Sequence, residues 1–397
     1  MSGILQNLRN AWNRSTQTRT AADSPQRIRT ARQQGTAASY RRVTSLLLMV
    51  EIMLWAALSG VAVAGRGVWI SAVLLIPAGI AVWWISRWVW GGEQGRGQST
   101  GNDRPAPSRP GRQAAGRPWE LLLLLPLTAW DAVWLLQCLA SVLHRLMPSY
   151  PAGILRVCVP ALLLLGVLLG RDNGAAYGVS LWRWTLPLAA VWVMLPVVRN
   201  EGFEQLFPLL GRGWKATGAA ALGGLGALWP CALLFLLPQC KEPRNGRKAR
   251  TWVYVLLPLL LVCLLAVTLA CLAAWHEASI GDMGLRLLLV GRNGGSMMLS
   301  GLWSLFWLVG LMTAFCTALM AAQKLTRLVW PRCRGWLPTG VVALAATILL
   351  WVWQEGPPPL FMQLMPWRLG LWAVAAGWAG IRRLAGKRKQ QLRAWRG

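Results

Sequence analysis

Two acidic residues lie inside largely apolar stretches of the sequence, Glu51 in "SLLLMVEIMLWAALSG" and Asp131 in "LLLLLPLTAWDAVWLLQ". Carboxyl groups inside a membrane are costly, and they commonly bind a proton, a metal cation or a ligand amine. We therefore interpret Glu51 and Asp131 as a candidate proton or cation site. A hydrogen bond to a neighbouring helix explains Asp131 equally well. For Glu51, close to the start of its helix, a snorkelling or interhelical role is favoured.

A second candidate site is a run of small residues in "WKATGAAALGGLGALWPCALLFLLPQ", which begins at Trp214. Gly and Ala stand here at the start of an apolar stretch. In transporters built from inverted repeats, corresponding helices of the two halves are interrupted, and their freed backbone groups bind the ligand. The predicted ligand-binding residues in this run are Thr217, Gly218, Gly223, Gly224 and Gly226.

The counterpart of this run in the first half is "ALSG", which adds Ser59 and Gly60 to the predicted ligand site. Close helix packing is an equally good explanation of the small residues. If the site binds an amino acid, its carboxylate would meet backbone N–H groups at the helix break. Its ammonium group would meet Asp131 or the carbonyl groups around Ser59.

The sequence offers little material for a metal centre or a catalytic site. Eight cysteines are scattered without a CxxC pair, and His144 and His276 are the only histidines. We expect the cysteines to be small apolar core residues. We predict no metal, no cofactor and no catalytic residue, because the acids of the outer segments are too dispersed to form a site.

The composition is that of an integral membrane protein. Of 397 residues, 55% are hydrophobic and 14% are charged, and the mean hydropathy is +0.43. The net charge of +28 does not indicate a nucleic-acid partner, because the Lys and Arg residues lie between apolar blocks and form no basic face.

A spanning helix needs about 20 apolar residues, and by this criterion we predict an all-α polytopic protein with about ten transmembrane helices. The predicted spans are 44–64, 68–90, 121–143, 151–170, 179–198, 216–237, 252–274, 299–321, 336–353 and 368–385. Basic loops are retained in the cytoplasm. With both termini cytoplasmic, 32 of the 41 Lys and Arg residues lie inside and 9 lie outside, Arg368 among them.

The ten spans divide into two repeats of five, flanked by polar segments. Residues 1–43 form a disordered basic cytoplasmic arm by composition. The first repeat is 44–198 and contains a flexible Gly, Pro and Arg-rich loop at 91–118, and the second repeat is 199–385. Residues 386–397 form a basic cytoplasmic tail, which could also contact anionic membrane lipid.

The segment "NEGFEQLFPLLGRGWKATGAAALGGLGALWPCALLFLLPQCKEPRNGRKARTWVYVLLPLLL", residues 200–261, resembles the spore germination receptor B-subunit (GerAB-type) family. Shared features are the "LFPLLGRG" turn, the small-residue helix, the "LLP" end and the basic loop. Residues 64–90 and 302–322 resemble the second and eighth helices of that family. The sequence differs from the family at "WAALSGVAVAG", where the family has a Gly-Thr-Gly-like break.

This family belongs to the amino acid, polyamine and organocation (APC) transporter superfamily, so the resemblance implies a LeuT/APC-like five-plus-five inverted repeat. It also implies a nutrient-germinant receptor subunit of the spore inner membrane, which senses a small molecule such as an amino acid. Its partners would be A-type and C-type receptor subunits. The alternative is a proton- or cation-coupled amino-acid permease with the same fold, and a membrane enzyme is the least favoured class.

Overall fold

The computed structural model of the chain describes residues 41–91, 118–146, 191, 206–207, 209–237, 252–273, 297–330, 340–341, 344–345, 348 and 359–395. The regular elements in these ranges are helices, which we number in chain order. They are α1 (residues 41–64), α2 (Val68–Trp90), α3 (Pro118–Leu146), α4 (Trp214–Gly226), α5 (Leu233–Leu236), α6 (Val253–Ala273), α7 (Met297–Val329) and α8 (Pro359–Trp395).

Five helical stretches of the described ranges are long and apolar enough to cross a membrane. They are Arg41–Trp90, Trp119–Ala140, Trp214–Leu236, Val253–Cys271 and Trp307–Val329. The first has 50 residues and would be about 75 Å long as one straight helix, more than twice the thickness of a hydrocarbon core. A short 3₁₀ turn at Gly65–Gly67 divides it into α1 and α2, at the boundary predicted from the sequence.

Several predicted segments lie outside the described residues. These are residues 1–40 of the arm, almost all of the 91–118 loop, the fourth span, the fifth span except residue 191, and most of the ninth span. The tenth predicted span is part of α8, which begins at Pro359 and continues through the predicted tail to Trp395. A proline in the first turn of a helix is favourable, because its missing N–H would have had no intrahelical partner.

The core of the described structure is built around α1. From Leu46 to Leu58 every side chain of this helix is at most 5% exposed. A helix that is apolar all round is buried on every side. The helix therefore runs through the centre of the bundle, and its one buried acid must find partners among the neighbouring helices.

The remaining helices pack around α1 in two groups. Helix α2 packs against α4 and α6, while α3 packs against α7, and α8 crosses both α3 and α4. A tight fit is visible between α2 and α6, where a Cβ on Gly79 would lie 2.7 Å from Leu259 Cδ1. Small residues allow such close approach of membrane helices.

The turn that follows α1 (Gly65–Gly67) and the turn that precedes α4 (residues 209–213) contact each other. The Arg66 guanidinium donates to the Phe207 carbonyl at 2.7 Å, and the Arg212 guanidinium donates to the Ala62 carbonyl at 2.8 Å. Gly211 has a φ of +51°, and a Cβ there would clash with the Ala64 carbonyl oxygen. The glycines of "LLGRGW" are therefore required by this turn.

Candidate functional site

The most polar point of the buried interior is an ion cluster of three side chains, Arg368 of α8, Glu51 of α1 and Asp131 of α3. Arg368 Nη1 lies 3.0 Å from Glu51 Oε2, and Arg368 Nη2 donates to Asp131 Oδ1. The Arg368 side chain is 3% exposed and both carboxyl groups are fully buried. The three side chains thus tie α1, α3 and α8 together. We call them the ion cluster.

A fourth residue completes the cluster from the sixth predicted span. Trp229 Nε1 donates a hydrogen bond of 2.9 Å to Asp131 Oδ2, so both oxygens of this carboxylate are bound. Trp229 lies in a 3₁₀ turn, Trp229–Ala232, between α4 and α5. The interruption of the sixth span therefore places an indole N–H on a buried acid.

The interruption has a different position from the one predicted. The sequence places it within residues 217–226, but α4 is regular from Trp214 to Gly226, and the irregular backbone covers residues 227–232. Pro230 explains the shift, because its ring would clash with the carbonyl of Gly226 in a continuous α-helix and it has no N–H to donate. The glycines themselves keep helical geometry.

Glycines of α4 serve as a contact surface for α1. A Cβ on Gly224 would lie 2.9 Å from Trp55 Cε2, and one on Gly223 would lie 3.3 Å from Trp55 Nε1 and 3.9 Å from Ser59 Oγ. Close packing, one of the two explanations open from the sequence, therefore describes Gly223 and Gly224. A Cβ on Gly60 would also be tight, 2.9 Å from Val68 Cγ2.

Helix α1 is irregular where it meets these glycines. Residues Trp55–Gly60 form a π-helix, a wider turn that interrupts the α-helical backbone. Such turns are rare and frequently lie at functional sites. The predicted weak point "ALSG" lies within this turn, so the first and the sixth span are both irregular where they approach each other.

Three polar side chains follow one another along α1 at intervals of four residues, Glu51, Trp55 and Ser59. Side chains four apart share a helix face. Glu51 binds Arg368, whereas Trp55 Nε1 is buried and has no hydrogen-bond partner among the described residues. A buried donor without a partner carries a free-energy cost. This stripe, which we call the α1 polar stripe, therefore leads from the ion cluster to the glycine face of α4.

The other predicted site residues have local roles in the structure. Thr217 Oγ1 lies 3.0 Å from the Gly213 carbonyl oxygen and 3.2 Å from that of Leu210. Ser71 Oγ of α2 donates to the Thr217 carbonyl at 2.8 Å. A Cβ on Gly218 would have no neighbour within 4 Å, and Gly226 ends α4. Thr217 therefore stabilises the turn before α4.

Two residues of this site are not among those predicted from the sequence, Arg368 of the ion cluster and Trp229, which binds it. The sequence places Arg368 on the outer side, as the first residue of the predicted tenth span, but α8 begins nine residues earlier and Arg368 is 2% exposed. The apolar "PLFMQLMPW" before it was the available signal. Trp229 gave no signal, because the sequence contains 27 tryptophans.

The described cysteines are buried or partly buried thiols, Cys138, Cys231, Cys263, Cys271 and Cys316. Within the described ranges, no three His, Cys, Asp or Glu side chains come close enough to hold a metal ion. The buried acids face an arginine instead.

Comparison with known proteins relates the fold to transporters. The chain is similar to a crystal structure of a point mutant of the manganese transporter from Eremococcus coleocola, with a TM-score of 0.55 and 15% identity over 87% of this chain and 78% of that chain. It is also similar to Mhp1, a nucleobase-cation-symport-1 family transporter in a closed conformation with bromovinylhydantoin bound, with a TM-score of 0.52 and 14% identity over 86% and 76% of the two chains.

No protein-family model matches the sequence, and no curated protein matches it significantly. At this level of identity, structural similarity defines a fold and not a substrate. In its described residues the chain is a helical membrane protein with five stretches able to cross a membrane, and its fold is similar to that of LeuT-type transporters.

Proposed function

We propose that this chain is the transporter-like B-type subunit of a nutrient-germinant receptor and that it binds a small zwitterionic molecule such as an amino acid. The observation that carries the ligand class is the adjacency of the α1 polar stripe and the ion cluster, which together present both signs of charge and an indole donor. The receptor role is supported by the resemblance of residues 200–261 to the germination family.

The chemistry of these residues suits a zwitterion. A ligand carboxylate would compete with Glu51 and Asp131 for the guanidinium of Arg368, whose planar donors match a carboxylate. A ligand ammonium would compete with Arg368 for the two acids. Trp55 Nε1, buried and without a partner among the described residues, is a further donor for the carboxylate. Small polar ligands are held in membrane transporters by such convergent groups near irregular helices.

A receptor role requires no transport. A ligand shifts a conformational equilibrium only by its different affinities for the two states. The ion cluster joins α1, α3 and α8, so a ligand that replaced one of its contacts would change how these helices are held together. A-type and C-type receptor subunits of the spore inner membrane would then respond to that change. This role involves no catalysis, and we propose that the chain is not an enzyme.

The second candidate is a proton- or cation-coupled amino-acid permease. The observation that favours it is the pair of buried carboxyl groups on α1 and α3, since such residues mark proton and ion pathways in membrane proteins. The two similar structures are also those of transporters. In this case solute would cross the membrane without partner subunits.

Spores with a clean deletion of the gene separate the two candidates. Dipicolinate release is measured across a panel of amino acids, sugars and nucleosides, and uptake of the same radiolabelled solutes is measured in growing cells that express the gene. A receptor subunit is expected to restore germination to one nutrient class without uptake. Uptake together with unchanged germination would overturn the receptor role and support the permease.

Two variants locate the ligand site in the same assay. Asp131→Asn removes a charge of the ion cluster, and Gly224→Leu separates α4 from α1, so both are expected to abolish the response at wild-type protein levels. Gly218→Ala is the matched control, because no neighbour lies within 4 Å of its Cβ. A normal response of both test variants would exclude a site at this position.

A further inference from the structure

We propose that the ion cluster holds one exchangeable proton, shared between the carboxyl groups of Glu51 and Asp131. The proposal concerns the protein without a ligand and does not depend on which nutrient it binds. It assigns a proton-binding site to the interface between α1, α3 and α8.

The charge balance of the ion cluster is the first observation. Two acids and one arginine would carry a net charge of −1 if all three were ionised. All three side chains are at most 3% exposed, and Trp229 adds a neutral donor. An uncompensated charge in such an interior is strongly disfavoured, and a group there neutralises instead. One proton brings the cluster to zero.

The geometry of the two acids is the second observation. Both carboxyl groups contact the same guanidinium, Glu51 through Nη1 and Asp131 through Nη2 of Arg368. Two ionised carboxylates held on one guanidinium have only acceptors and repel each other. Glu51 Oε1 is buried and has no hydrogen-bond donor among the described residues. A proton on either acid removes this repulsion, as in carboxyl pairs that share one proton.

The groups that face the pair come from several helices. Arg368 of α8 is the cation paired with both acids, and Trp229 donates to Asp131. The buried thiol of Cys138 lies on α3 two turns after Asp131. No cluster of three metal-binding side chains is present among the described residues. A proton therefore fits this site better than a metal ion.

The proton would come from water when the interface opens and would return to water when it is displaced. Binding transfers a proton from hydronium to a carboxylate and leaves a carboxyl group and water. If the proposed function holds, a ligand ammonium that entered the cluster would supply the missing positive charge, so that ligand binding would release one proton.

Infrared spectroscopy of the purified full-length protein in lipid nanodiscs tests the proposal without any ligand. We expect a carbonyl band of a protonated, buried carboxyl group at neutral pH, which shifts in D₂O. Glu51→Gln and Asp131→Asn are both expected to abolish it, because each leaves one acid opposite Arg368. Glu120→Gln is the matched control, since Glu120 is a buried acid of α3 that pairs with Arg382 at 3.0 Å, outside the ion cluster, and its removal should not change the band.

Arg368→Gln is a second test, in which the carboxyl band should become stronger and not disappear. Without the arginine both acids need a proton, so the carboxyl band is expected to double in a correctly folded protein. Absence of the band in the wild type, or its persistence in both Glu51→Gln and Asp131→Asn, would overturn the proposal. A band that is absent in sodium buffer and appears only when sodium is removed would also overturn it in favour of a metal cation.

Discussion

The guanidinium of Arg368 lies 3.0 Å from the carboxyl group of Glu51 although 317 positions separate the two residues in the chain. The contact is buried, and the same guanidinium also binds Asp131. A residue near the middle of α1 and one in α8 are thereby fixed at a common depth. The following predictions test this arrangement and the packing around it.

Arg368→Gln is expected to destabilise the protein by about 3–5 kcal/mol, because removing one partner of a buried ion pair is strongly destabilising. Here the variant loses the contacts of Arg368 with both acids, and both acids must then be protonated. Thermal unfolding in detergent micelles measures the effect. Arg87→Gln is the control, since Arg87 is exposed and lies 5.4 Å from the ring of Trp83, an interaction worth about 0.5–1 kcal/mol. Equal effects of the two substitutions would contradict the ion cluster.

The loss in Arg368→Gln is expected to be partly reversed by neutralising the acids. The triple variant Glu51→Gln, Asp131→Asn, Arg368→Gln has neither a buried charge nor a carboxyl group that must be protonated, so it avoids the penalty of a buried pair that has lost one partner. A double-mutant cycle between Asp131→Asn and Arg368→Gln should give a coupling of about 0.5–3 kcal/mol. Additive effects within about 0.5 kcal/mol would show that the two residues do not interact.

Trp229→Phe keeps most of the ring and removes the N–H that binds Asp131 Oδ2 at 2.9 Å. A buried acceptor that loses its donor costs about 1–3 kcal/mol, so the unfolding temperature should fall. Trp84→Phe is the matched control, because Trp84 is 62% exposed and surface changes stay within about 0.5 kcal/mol. If Asp131→Asn removed the difference between the two tryptophan variants, the hydrogen bond would be confirmed as its cause.

Alanine at two glycines of α4 should have opposite effects. At Gly224 the new Cβ would lie 2.6 Å from Leu75 Cδ1 and 2.9 Å from Trp55 Cε2, and overpacking of this kind costs about 1–3 kcal/mol. At Gly218 it would meet nothing within 4 Å, so Gly218→Ala should stabilise the helix by about 1 kcal/mol. Urea or thermal unfolding measures the stability of both variants. A Gly224→Ala protein as stable as the wild type would contradict the α1–α4 contact.

The sequence by itself determined the membrane class and the limits of most described helices. Apolar length and the glycines at 65 and 67 predicted the division of Arg41–Trp90 into two spans. These features are local, since hydrophobic length and backbone conformation depend on neighbouring residues. The acids at Glu51 and Asp131 were visible for the same reason, because a charge inside an apolar run needs no structure to be recognised.

Only the tertiary structure decided the partners of those acids. Which side chain meets Glu51 depends on the rotation and depth of α8 relative to α1, and no period in the sequence encodes either quantity. Gly224 and Gly218 show the same limit, because one faces Trp55 and the other faces no neighbour. The sequence supplies the charges and the small residues, whereas helix packing decides which charges meet.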